Sequence, residues 1–310
     1  MTDNGIQVTE IVTRSSNGYN YIKGRVFSTE NPTFAVQILH GVTEHMGRYT
    51  EFARCMCDNL NCAVIIYDQC GHGASVIDKS DYGYFASRRG YKHIVRDAHG
   101  FLEEAKKITG NIPVFLLGYD MGSLIARESI TRHPSDYVGL ILIGTCYKSF
   151  AMRMLLKKCQ NAISDNSESY LSAKLYKEYV FGRSKNFDGE TDNDWLNSDE
   201  EELNKYLNDP LCNFSLSVSG IKDIIKLRIS VNESKWFKDM PDIPILILSG
   251  TDDPVCNFSK HSLIIANRLR MCDKSDVSTI TYPSARHDLL HETCKTQVYK
   301  DIANWIIIRM

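Results

Sequence analysis

Short apolar runs alternate with longer amphipathic segments along this chain, and that alternation limits its fold more than any other feature. The runs are "FAVQILH" (34–40), "CAVIIYD" (62–68), "VFLLGY" (114–119), "VGLILIG" (138–144), "IPILILSG" (243–250) and "VSTITYP" (277–283). Each has strand length, and β-branched and leucine-rich runs suit strands covered on both faces. Helical patterns occupy about 46–59, 91–109, 122–133, 257–270 and 294–308. Strand and helix in turn are the mark of βαβ units and a mostly parallel sheet. Two earlier segments, near 6–13 and 19–27, alternate polar and apolar residues and predict an antiparallel hairpin at the sheet edge.

From about 146 to 240 the alternation stops. This stretch opens with "YKSFAMRMLLKKCQNAI", passes through the acidic "DGETDNDWLNSDEEELNKYLNDP", and reads as helices and loops inserted between two strands. The expected organisation is therefore a core of 1–145 and 241–310 with a helical cap at 146–240. Within the acidic run, Asp199–Glu202 reads as a helix N-terminus, where carboxylates favour the helix dipole. Met152 and Met154 begin the insertion, and with Tyr179 they are candidate substrate contacts.

Composition excludes several classes. The chain is 43% apolar and 24% charged, with net charge −2, so neither disorder nor a basic nucleic-acid surface is expected. No run approaches the ~20 apolar residues of a membrane span, and residues 1–20 lack the apolar stretch of a signal peptide. A cytoplasmic protein is the expectation. Its ten cysteines then read as reduced thiols rather than a disulfide framework. "CMCDNLNC" (Cys55, Cys57, Cys62) contains no C-x-x-C pair, so no metal site is expected there, and no cofactor is signalled.

The chemistry gathers at strand ends. "GYDMG" follows the 114–119 run and precedes a helical segment, as a nucleophile elbow requires. Glycines at 118 and 122 flank the sharp turn, and Asp120 stands at its centre. "HGVTEH" follows the first buried run, which makes the amides of Val42 and Met121 the candidate oxyanion donors. "SGTDDPV" puts Asp253 past one strand end, with Asp252 as its rival. "ARHDLLHE" puts His287 past the last, with His291 as its rival. Elbow, acid, histidine is the chain order of a catalytic triad on an α/β-hydrolase. His72 in "CGHGAS" reads as a structural loop residue and Ser123 as a helix-turn residue. Glu44 and Arg48 read as an ion pair bracing the oxyanion loop.

With these motifs in place, the chain resembles the monoacylglycerol lipase and lysophospholipase group of α/β-hydrolases, in the form common in Firmicutes. "LHGVTEHMGRYTEFA" is similar to that group's oxyanion segment, "YDQCGHGASV" to its Gly-His-Gly loop, and "GYDMGSLIAR" to its elbow. "SGTDDPV" and "ARHDLLHET" are similar to its acid and histidine segments. The resemblance implies a mostly parallel eight-stranded sheet with an inserted cap, serine-type hydrolysis of a lipid or small ester, and no cofactor. Separately, the Met- and Lys-containing start of the cap reads as a segment able to dock transiently on a lipid surface.

One departure matters. The group carries serine where this chain has Asp120. A carboxylate has no hydroxyl proton for His287 to remove, and its attack on an ester would give a mixed anhydride, so ester turnover should be slow or absent. Three readings follow. The chain is an esterase scaffold whose serine was replaced, by evolution or deliberate mutation. Or it is an Asp-nucleophile epoxide hydrolase or haloalkane dehalogenase, for which Tyr170, Tyr176, Tyr179 and Tyr206 offer epoxide-protonating hydroxyls. Or it is a non-catalytic lipid- or acyl-binding relative. The first predicts a carboxylate seated near the elbow amides beside a protonated His287.

Overall fold

A computed structural model of the chain describes residues 5–165, 167–180, 187 and 191–310. Among the described residues eight strands form one sheet in the order β1-β2-β4-β3-β5-β6-β7-β8. They are β1 (Gln7–Arg14), β2 (Tyr21–Ser28), β3 (Phe34–Leu39), β4 (Cys62–Asp68), β5 (Val114–Tyr119), β6 (Gly139–Ile143), β7 (Ile245–Gly250) and β8 (Val277–Tyr282). β1 pairs antiparallel with β2, and β2 with β4. From β4 to β8 every pairing is parallel. The apolar runs thus form the sheet within a residue or two of their expected limits. β8 differs from the expectation of burial on both faces: Ser278, Thr279 and Ile280 are only partly covered and Thr281 is exposed. It is the outermost strand, so one side has no neighbour.

Period-two side-chain alternation divides the interior. Ala35, Leu39 and Leu116 face one apolar layer, while Val36, Ile38, Phe115 and Leu117 face the other. The first layer packs α2 (Gly90–Thr109), α3 (Met121–Arg132) and α9 (Lys260–Arg270), and the second packs α1 (Thr50–Asn59) and α10 (Lys295–Ile307). The chain leaves β3 for β4 on one side and returns to β5 on the other. Ligands of open α/β sheets bind at such a reversal, outside the carboxyl ends of the strands. His40–Val42 leave β3 there, and Asp120 leaves β5.

Between β6 and β7 lie α4 (Phe150–Ser164), α5 (Glu168–Val180), α6 (Glu200–Asn208), α7 (Val218–Ser230) and α8 (Ser234–Asp239). The acidic run begins α6, where Asp199 accepts from the amides of Glu201 (3.0 Å) and Glu202 (3.2 Å). α7 packs on α2 and α3, and its Asp223 accepts from the first amide of α2, Gly90 N–H, at 2.9 Å.

Arg127 ties the elbow helix to this segment. Its guanidinium is fully buried and donates to Val231 O, to Asn232 Oδ1 at 3.1 Å and to Cys146 O at 3.4 Å. It also lies 4.3 Å from the centre of the Trp236 ring. Burial draws its pKa down to about 9. Arg127→Ala takes the guanidinium from Val231 O and Asn232 Oδ1, leaves Cys146 O with Asn232 Nδ2 alone, and opens a void. It is expected to cost about 3 kcal/mol in urea denaturation, whereas the exposed Lys235→Ala should stay within about 0.5 kcal/mol.

Candidate active site

The elbow is a backbone conformation before it is a side chain. Asp120 has φ +47° and ψ −113°, a region that costs a non-glycine residue on the order of 1–3 kcal/mol. Its surroundings hold it there. Asp120 N–H donates to Ile143 O (3.0 Å), and its carbonyl accepts from Ser123 N–H (3.0 Å) and Ser123 Oγ (2.6 Å). Ser123 therefore serves the turn, as its helical position implies. A Cβ at Gly122 would lie 1.9 Å from Leu39 O, and one at Gly118 would lie 2.4 Å from Gly122 O. Only glycine lets α3 approach β3 and β5 so closely.

The Asp120 carboxylate spans two functional directions. Oδ2 accepts from Val42 N–H at 3.1 Å. Oδ1 lies 3.6 Å from His287 Nε2, too long for a hydrogen bond but close enough for strong ionic attraction in a buried site. Met121 is the first residue of α3, so its amide belongs to the donors that have no acceptor inside the helix.

His287 is 1% exposed and lies between Tyr119 and Trp195, with ring centres 5.0 and 5.5 Å away. A Cβ on Gly144, at the end of β6, would lie 2.6 Å from the histidine ring. His287 Nδ1 meets Asp253 Oδ2 at 2.8 Å. Asp253 is fully buried and also accepts from Val255 N–H (2.7 Å), Cys256 N–H (3.4 Å) and Cys256 Sγ (2.6 Å). Burial opposes the charge on Asp253, yet His287 and these donors hold its pKa below the usual value. Burial likewise opposes protonation of His287. Asp253, and then Asp120, overcome it and lift the histidine to about 10. Asp120, His287 and Asp253 thus form a continuous buried line.

The rivals fall elsewhere. Asp252 is exposed and accepts from Thr251 Oγ1 at 2.9 Å. His291 Nδ1 meets Asp288 at 2.8 Å and its Nε2 meets Arg48 O at 2.8 Å. Arg48 in turn pairs with Glu44 at 3.1 Å and with Asp288, the brace foreseen beneath the oxyanion loop. Glu44 also accepts from Gly41 N–H (2.5 Å) and Tyr49 OH (2.6 Å). Thr43, next to Val42, has φ +55°, and its amide donates to His72 Nε2 at 3.2 Å. His72 Nδ1 donates to Cys70 O at 3.2 Å, and burial lowers this histidine's pKa to about 4. A neutral His72 with both ring nitrogens engaged holds the loop and has no nitrogen free to act as a base.

A cavity of about 270 Å³ opens above this line. Tyr119, Asp120 and His287 meet Tyr176, Trp195 and Tyr206 in its lining. Met152, Met154 and Tyr179, the expected substrate contacts, do not line this cavity. Met152 packs against the core, Met154 is 53% exposed and Tyr179 is buried in the core cluster. On α5, Ala173, Tyr176 and Lys177 share the cavity face at i, i+3 and i+4, while Tyr179 comes two residues after Lys177, roughly 200° further round the helix, and belongs to the packed core. The side chain of Tyr170 lies outside the described residues. Tyr206 is engaged with Thr43, its hydroxyl 3.0 Å from Oγ1 and 3.3 Å from the carbonyl. Trp195 escaped the sequence reading, because a tryptophan within an irregular acidic loop has no periodicity to assign its face.

Cys55, Cys57 and Cys62 are free thiols, like the other cysteines. Among the described residues, two side-chain groups bring ligand atoms together. In His45, Asp209 and Cys212, the neighbouring Arg48 guanidinium opposes a second cation. In His99, His133 and Asp136, the imidazole planes stack at 3.8 Å and 8°, so their in-plane lone pairs run parallel instead of converging on one ion. Neither group borders the cavity line of Asp120, His287 and Asp253.

Comparison with known proteins agrees with this geometry. The family model described as serine aminopeptidase, S33 matches residues 30–294. The human monoglyceride lipase is 27% identical over 285 residues, which are 90% of this chain and 84% of that protein. A thermostable carboxyl esterase from Bacillus coagulans, solved in complex with glycerol, superposes with a TM-score of 0.89. It is 25% identical and covers 97% of this chain and 98% of its own. A soluble variant of the Saccharomyces cerevisiae monoglyceride lipase superposes with a TM-score of 0.74 at 20% identity, covering 97% and 95%. This chain belongs to the serine aminopeptidase S33 family and is an α/β-hydrolase of the monoacylglycerol lipase group.

Proposed function

We propose that the chain is a carboxylic-ester hydrolase scaffold, built for a monoacylglycerol or lysophospholipid, whose nucleophile seat is held by an aspartate that suppresses ester turnover. The observation that carries this reading is the Val42 N–H to Asp120 Oδ2 bond of 3.1 Å. A serine Oγ would reach only to about the position of Asp120 Cγ. The volume of Oδ2 is then the place for a substrate carbonyl oxygen, which Val42 and Met121 would polarise. Asp120 puts its own anion there and so takes the part of a tetrahedral oxyanion. In the ancestral chemistry His287 is the general base, Asp253 its orienting acid, and residues 146–240 the cap over the substrate. A reducing cytoplasm suits its ten free thiols. Among the described residues no helix is long and apolar enough to cross a membrane. The decisive test compares ester hydrolysis by the protein and by Asp120→Ser.

The ionic line makes a pH prediction. His287 is raised in the fold from an ordinary 6.5 to about 10. Its stabilisation is therefore complete below about pH 6.5 and lost as pH climbs through 10. Urea denaturation across that window should show a loss on the order of a few kcal/mol. Asp120→Asn, which keeps the shape and removes the anion, should shrink the loss. An NMR titration finding His287 at or below 6.5 would count against the seated-anion reading.

The Asp-nucleophile reading draws support from Tyr176 and Tyr206, which line the cavity with Asp120. It needs hydroxyls able to protonate an epoxide, and Tyr206 is already bonded to Thr43. Single turnover of an epoxide in heavy-oxygen water tests it, because a working nucleophile incorporates label into Asp120.

A further inference from the structure

The loop after β8 and the cap loop before α6 are joined through one buried carboxylate. Glu292 is fully buried. Its Oε1 accepts from Ser198 N–H at 2.8 Å and from Arg286 N–H at 2.9 Å. Its Oε2 accepts from Ser198 Oγ at 2.5 Å and from Thr293 N–H at 3.0 Å. An ionised carboxylate is an acceptor only, with about four lone-pair sites, and these donors fill them. Around it Asp288 N–H donates to Leu196 O at 2.9 Å. The Arg286 guanidinium donates to Asp194 O (2.5 Å) and Asn197 O (2.9 Å). The cap side of this seam carries Trp195, which packs on the His287 ring, and the other side carries His287 itself.

We propose that Glu292 is a positioning residue that latches cap loop 194–198 to the loop 286–293, so that His287 and the wall packed on its ring move as one piece. This rests on the reading of His287 as the general base. A wall so bonded cannot swing away without releasing the histidine from Asp253. Access to the cavity therefore comes from other parts of the cap, such as the α5 face with Ala173, Tyr176 and Lys177.

The latch is tested with Glu292→Gln, which keeps the shape but turns an amide donor toward donors, and with Ser198→Ala, which removes one bond and spares the fold. In Glu292→Gln, hydrogen exchange should quicken together in 194–198 and 286–293, by about tenfold or more. His287 should titrate about one unit or more nearer 6.5 than in the parent. Ser198→Ala should show the same paired change in smaller measure, and it decides the matter if Glu292→Gln does not fold. Combined with Asp120→Ser, Glu292→Gln should lose roughly 10- to 100-fold in kcat with KM changed less than about threefold. Faster exchange in one loop alone, or an unmoved His287 titration, overturns the latch. If Asp120→Ser itself turns over no ester, the ester-hydrolase reading fails, while exchange and titration still judge the latch.

Discussion

Asp120→Ser is expected to raise turnover of nitrophenyl esters by about 10³- to 10⁶-fold, the span over which loss of a triad member disables serine hydrolases. Three changes act together. The hydroxyl can be deprotonated as it attacks, which a carboxylate does not offer. The shorter side chain vacates the place beside Val42 N–H, now 3.1 Å from Asp120 Oδ2, for the substrate oxygen. With the anion 3.6 Å from Nε2 gone, His287 loses one of its two strongest anionic partners and keeps Asp253, and its pKa falls from about 10 toward the range of a working base. His287→Ala in the serine background should remove about 10³-fold or more of the gain. Short and long acyl chains, measured side by side, report how the cavity of about 270 Å³ selects among esters. A serine variant no faster than the parent would end the scaffold reading.

Gly122→Ala is expected to be the most damaging single methyl group in the molecule. The added carbon would lie 1.9 Å from Leu39 O, 2.5 Å from its carbonyl carbon and 2.7 Å from His40 O. All of these are backbone atoms at the end of β3 and in the residue that follows it into the oxyanion loop, and no rotamer relieves the overlap. Either α3 withdraws from β3 or the elbow unwinds. A loss of about 4 kcal/mol or more follows, beyond ordinary overpacking. Thermal denaturation measures it. Gly100→Ala is the control, since a Cβ there meets nothing within 4 Å and should stabilise α2 by roughly 0.5–1 kcal/mol.

Much of this site could be read in the chain because its geometry is local. A strand, a tight turn and a helix stand in sequence around Asp120, and the glycines that permit the turn are its immediate neighbours. The order of elbow, acid and histidine follows the order of strands. Asp253 is buried against His287 while Asp252 is exposed, and the likewise buried His291 is taken up by Asp288 and Arg48. The hairpin of β1 and β2 follows from alternation alone. By contrast, which face of residues 146–240 meets the cavity was not legible, since a few residues of helix rotation put Tyr176 at the cavity and Tyr179 in the packed core.

What the sequence by itself determined is the set of strands and helices, their order, and the strand ends that bear chemistry, because periodicity and turn chemistry act over a few residues. Only the tertiary structure decided where the Asp120 carboxylate goes, which cap side chains meet it, and what secures the histidine loop. Those outcomes join residues 120 to 42, 287 to 195, and 292 to 198. No local pattern encodes such contacts, since they depend on how the sheet's reversal and the inserted helices bring distant loops to the same rim.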